Sequence, residues 1–102
     1  MKTRFFSRVK INNDVKALAQ DGFFMGILEN ISLGGLFIRT KKSINVGDQI
    51  EINMPLRSEV KMIDFAAKLI AIRSEREGAA FAYSDLDHKN FWTLQSFIKA
   101  VN

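Results

Sequence analysis

Hydrophobic and polar residues alternate along most of this chain, the period of a strand buried on one face. Val9 and Ile11 alternate with Arg8, Lys10 and Asn12. A turn is expected at Asn12-Asn13-Asp14, after which Val15, Ala17 and Ala19 share one face. Asp21-Gly22 predicts a hairpin, because glycine accepts the positive φ of a tight turn. Residues 23–29 are an apolar, β-rich run, residues 30–35 break it, and residues 36–40 make another short strand. Val46-Gly47-Asp48 is a turn signal. Residues 49–54 then alternate cleanly, with Ile50, Ile52 and Met54 inward. Pro55 is expected to end that strand, since it has no N–H for a ladder. Residues 60–73 read as one long strand with Ile63, Phe65, Ala67, Leu69 and Ala71 on one face and a bend near Ala66-Ala67. Residues 74–78 turn the chain, and residues 79–84 return as a strand around Phe81 and Tyr83.

The period then changes. Phe91, Leu94, Ile98 and Val101 are spaced as one face of a helix, with Asp85 or Asp87 as its N-cap. That stripe is expected to pack on the sheet. Trp92 and Phe97 lie partly off it and are the residues that a partner protein could use. The expected fold is mainly β: a small antiparallel barrel of about six strands with a C-terminal α-helix. Closing the sheet removes edges that would otherwise invite aggregation. With 102 residues and no repeat or linker, one domain over residues 1–102 is expected. It divides into a basic, flexible arm (1–8), the barrel (9–84) and the helix (87–101).

Composition narrows the chemistry. The chain has no cysteine and one histidine, His88, which excludes a disulfide framework, a Cys nucleophile and a His-based metal site. Walker-type and dinucleotide-binding glycine motifs are missing. His88 has no Ser or Cys elbow beside it, and the acids at 85 and 87 fit helix-start electrostatics. No enzyme activity, metal or cofactor is expected. Without a long apolar run or a signal-peptide core, a cytoplasmic setting is the expectation. The net charge is +4, and Lys2, Arg4, Arg8 and Lys10 fall within the first ten residues, with no acid among them. Such a head suits an anionic partner, phosphate first, although it also serves plain solubility.

Two short patterns add to that. Arg4-Phe5-Phe6-Ser7-Arg8 places two arginines four apart, and Asn30-Ile31-Ser32-Leu33-Gly34-Gly35 puts a polar pair before a glycine pair. A guanidinium offers a planar fork of donors for phosphate oxygens or for guanine O6 and N7, and its face stacks on a purine. Asn30 both donates and accepts, Ser32 adds a hydroxyl, and glycines let backbone N–H groups approach a ligand. Either pattern alone has an ordinary explanation: arginines are common here, and Asn, Ser and Gly are turn residues.

Together, and in this order, the two patterns resemble the motifs of the PilZ domain family, small β-barrels that bind the bacterial second messenger cyclic di-GMP. Arg4 and Arg8 match Arg-x-x-x-Arg. Asn30, Ser32 and Gly35 match Asp/Asn-x-Ser-x-x-Gly. Leu36-Phe37-Ile38, Val46-Gly47-Asp48, Gly78-Ala79-Ala80-Phe81 and Asp85-Leu86-Asp87 before a helix extend the resemblance over nearly the whole chain. It implies that Arg4 and Arg8 grip phosphates and guanine faces, that Asn30 and Ser32 contact a guanine, and that Gly35 shapes the loop. Two departures bear on affinity: Phe5 stands where a basic residue is frequent, and Asn30 where Asp is frequent.

The resemblance implies a single-domain cyclic di-GMP receptor that changes conformation on binding and signals to a downstream protein in motility, biofilm or polysaccharide control. The alternative is a PilZ-like interaction adaptor that binds no nucleotide. A small barrel binding single-stranded nucleic acid is a third option, disfavoured because no face carries a series of exposed aromatics.

Overall fold

A computed structural model describes residues 8–57 and 62–101 of the chain. The elements are β1 (Val9–Ala19), β2 (Gly22–Ile31), β3 (Gly35–Arg39), β4 (Gln49–Arg57), β5 (Met62–Glu75), β6 (Gly78–Asp85) and α1 (His88–Val101). The strands close into an antiparallel barrel in the order β1-β2-β3-β6-β5-β4. The fold class expected from the alternation is the one observed. Residues 1–7 of the expected arm, Arg4 included, lie outside the described residues, as does the expected start of the fifth strand at Val60.

The core fills from alternate positions. β4 buries Ile50, Ile52, Met54 and Leu56 and exposes every residue between them. Val15, Ala17, Leu28, Ile31, Ile38, Phe65, Leu69 and Phe81 belong to the same core. From the helix, Leu94, Phe97 and Ile98 join this core. Asp87 is the N-cap: its Oδ1 accepts from the Asn90 N–H at 2.8 Å, and its carbonyl accepts from the Phe91 N–H at 2.8 Å. Those Asn90 contacts, backbone first and side chain second, hold the Asp87 carboxyl below the usual carboxylate range. Asn90 Oδ1 also accepts from the Ala66 N–H at 2.9 Å, which docks the helix on β5 short of its pairing with β6.

Five local expectations are corrected. Asn12-Asn13-Asp14 is no turn but part of β1, where the register with β2 shifts between Lys10 and Asn13. Asn12 takes a left-handed φ of 55°, a conformation asparagine tolerates. The second strand does not break at Asn30: it continues through Ile31, because β1 pairs with it on one side and β3 on the other. Pro55 does not end β4, which runs on to Arg57; described β1 residues pair with β4 only at Ile50 to Ile52, so the edge beside Pro55 asks for no donor there. Irregularities in β5 fall at its pairings with β6 between Lys68 and Leu69 and between Ala71 and Arg73, not at Ala66-Ala67. Finally, Phe97 is wholly buried and only Trp92, 61% exposed, remains of the two helix aromatics offered as a partner surface.

Candidate functional site: a groove across four strands

The connection from β2 to β3 is three residues long and is organised by Ser32. Its N–H donates to the Gly35 carbonyl at 2.8 Å. Its Oγ accepts from the N–H groups of Gly34 at 3.1 Å and Gly35 at 3.3 Å. Ser32 is buried, so its hydroxyl acts first on its own loop, the local pairing by which serine makes turns. Gly35 has a different reason to be glycine than access for a ligand. A Cβ there would lie 2.2 Å from the Phe81 carbonyl oxygen, so only glycine lets β3 approach β6 this closely.

Arg8 precedes β1 directly. Since Val9 pairs with Ile31 and Lys10 with Asn30, the register carried one step further sets Arg8 opposite Ser32. Asn30 owes its direction to a bulge. Leu28 pairs with Ile38 and Asn30 with Phe37, leaving Glu29 extra on β2. Leu28 and Ile31 both point into the barrel, so Glu29 and Asn30 are left facing out.

Arg8, Asn30, Ser32 and Gly35 therefore line one groove of about 250 Å³ on the barrel surface. Its floor and far side are Phe37, Ala80, Ile72 and Arg73. Four of the five residues singled out from the sequence are brought together; the fifth, Arg4, lies outside the described residues. A larger cavity of about 1040 Å³ sits beside the β1–β2 hairpin, at the other end of β1 from Arg8. Asp21, Asp48 and Glu51 face it together with Lys42 and Lys68, a mixed lining that gives an anion little advantage.

A sequence model described as PilZ domain matches residues 2–100. The chain belongs to the PilZ domain family. This is a family of cyclic di-GMP receptors and adaptors. Among solved structures, the barrel is similar to the Bacillus subtilis inhibitor of motility (MotI/DgrA), with a TM-score of 0.78 and 19% identity over 98% of this chain and 52% of that one. The PilZ chain described here thus spans about half the length of that protein. It is also similar to the PilZ domain of CeSA from a cellulose synthesizing bacterium, with a TM-score of 0.68 and 13% identity over 92% of this chain and 96% of that one. No curated protein sequence gives a significant match. Among the described residues, no helix is long and apolar enough to cross a membrane.

Two residues outside both motifs bear on the PilZ groove, Tyr83 by holding its loop and Arg73 by lining it. Tyr83 on β6 donates its hydroxyl to the Ser32 carbonyl at 2.8 Å, which pins the motif loop from beneath. Burial raises the Tyr83 pKa well above that of a free phenol, so the group stays a neutral donor. Its ring stands edge-on to Phe65 at 6.1 Å between centroids. Arg73 is the other, and it enters from β5, far along the chain from both motifs.

Proposed function

We propose that this PilZ domain binds cyclic di-GMP in the groove between Arg8 and Arg73 and does not turn it over. The observation that carries the reading is the convergence of Arg8, Asn30 and the Ser32 loop on one groove. Arg8 supplies a fork for phosphate oxygens or a flat face for guanine, and the Asn30 amide reads a guanine edge. Ser32 positions Gly34 and Gly35 and adds a hydroxyl at the rim.

The groove, at about 250 Å³, is smaller than the roughly 300–1,000 Å³ of pockets that bury most of a drug-sized ligand. A dinucleotide seated here has one face covered and the other open. The basic segment before Arg8, with Lys2 and Arg4, is the natural cover, because the ligand's phosphates offset its self-repulsion. Binding then selects the closed arrangement, and the changed surface engages a downstream protein. Motility control, named for the Bacillus subtilis neighbour, is the first output to test. Of the two helix aromatics that a nucleotide-free adaptor would use, Trp92 alone is exposed, since Phe97 is in the core.

Titration calorimetry with cyclic di-GMP tests the reading on the wild type and on Arg8→Ala. The variant is expected to lose about 2–3 kcal/mol of binding free energy, the worth of one charge-assisted bidentate contact. Absence of heat with the wild type, or equal affinity in the variant, rejects it.

A further inference from the structure

The β5 side of the groove carries a feature that neither motif explains. Along the sheet, Lys10 pairs with Asn30, Asn30 with Phe37, Phe37 with Ala80, and Ala80 with Arg73. These five residues form one lateral row, with Asn30 and Arg73 three strand spacings apart, about 14 Å along the sheet. Ala71 is buried, so the next inward position on a regular strand would be 73. Ile72 is the extra residue opposite β6, between the pairs Ala71–Phe81 and Arg73–Ala80. That bulge turns both Ile72 and Arg73 outward, and Ser74 takes the other face, donating its hydroxyl to the Ile44 carbonyl. The outcome is a cation beside an exposed apolar side chain, Ile72 at 57% exposure. Between the two rims the floor is low: Ala80 is small, and the Phe37 ring lies over Gly78, where a Cβ would come within 2.9 Å of its Cζ.

Arg73 is not idle. Its Nε donates to Glu75 Oε2 at 2.8 Å, and both side chains are about half exposed. An exposed ion pair contributes little to folding and exchanges partners readily. We propose that Arg73 is a third guanidinium for the ligand, held by Glu75 in the free protein and handed over when the groove fills. The proposal rests on the reading of the groove as a cyclic di-GMP site. On binding, the Arg73 fork leaves the Glu75 carboxylate for acceptors of the ligand, its phosphate oxygens or a guanine O6/N7 edge, while Ile72 covers part of a purine face. Glu75 thereby opposes binding through Arg73 alone, because it occupies the cation that the ligand would take.

The test is calorimetric titration of the full chain with cyclic di-GMP for the wild type, Arg73→Ala, Glu75→Gln and the double variant. Both side chains are on the surface, and melting curves check that each variant folds. Arg73→Ala is expected to weaken binding by about tenfold or more, as for loss of a charge-assisted hydrogen bond. Glu75→Gln is expected to tighten binding severalfold, and that gain is expected to vanish in the Arg73→Ala background, the signature of two residues acting on one another. Unchanged affinity in Arg73→Ala, or the same gain from Glu75→Gln with and without Arg73, overturns the proposal while leaving the cyclic di-GMP reading intact. Failure of the wild type to bind overturns both.

Discussion

The two sides of the groove are built differently. On the β1–β2 side, the functional groups lie close in sequence to the loop that holds them: Ser32 binds Gly34 and Gly35 within its own turn. On the β5 side, Arg73 faces the groove only because Ile72 is extra opposite β6. A short motif encodes the first side, whereas a register shift between distant strands encodes the second. The contrast is not complete, because the motif loop also leans on β6, through the Phe81 carbonyl beneath Gly35 and the Tyr83 hydroxyl on Ser32. The difference teaches that a motif can mark a site without containing the contacts that hold it.

The largest expected effect tests that dependence. Gly35→Ala forces a methyl against the Phe81 carbonyl and should cost about 3 kcal/mol of folding stability in urea denaturation, the upper range for overpacking. A change under about 0.5 kcal/mol would mean that β3 and β6 separate easily and that the motif side stands alone. Tyr83→Phe comes next. Loss of its hydrogen bond to Ser32 should lower stability by about 1 kcal/mol and weaken cyclic di-GMP with it. If affinity stays constant while stability falls, the loop holds its shape without β6.

Asn30→Asp probes the motif side through the ligand. A carboxylate accepts from guanine N1–H and N2–H₂ together, where the amide offers one oxygen. Cyclic di-GMP affinity should rise about fivefold by calorimetry, the gain when a hydrogen bond becomes charge-assisted. A fall would place the guanine edge elsewhere in the groove. The smallest effect lies outside both sides. Asp87 has its pKa lowered in the fold, so its contribution is present above the ordinary carboxylate pKa and is lost as pH falls through the lower, folded value. Asp87→Ala should melt lower than wild type at pH 7, and the gap should narrow as pH falls below the ordinary carboxylate pKa. A gap that persists in acid would show that the cap acts without its charge.

Much of this was legible along the chain. The alternation at Ile50, Ile52 and Met54, and the face of Leu94 and Ile98, emerged where the pattern put them. Arg8, Asn30, Ser32 and Gly35 do meet in one groove. Bulges are what a local pattern hides. Asn12-Asn13-Asp14 and Asn30 are composed like turns, yet pairing on their flanks keeps both inside strands. Phe97 lies off the helix stripe, but it is wholly buried in the core together with Leu94 and Ile98. No local signal marks Tyr83 or Arg73, although an arginine where the β5 alternation should turn inward was a clue.

Strand content, the closing helix and the cluster of polar groups at the β2–β3 loop follow from period, turn chemistry and short motifs, which are local properties of the chain. Which strands meet and where their register shifts are settled by pairing between distant segments, and so is the fact that Arg73 lines the same groove as Arg8 while Tyr83 holds its loop. The physical reason is that a single extra residue in one strand reverses the face of every residue after it, and only the partner strand reveals that it is extra.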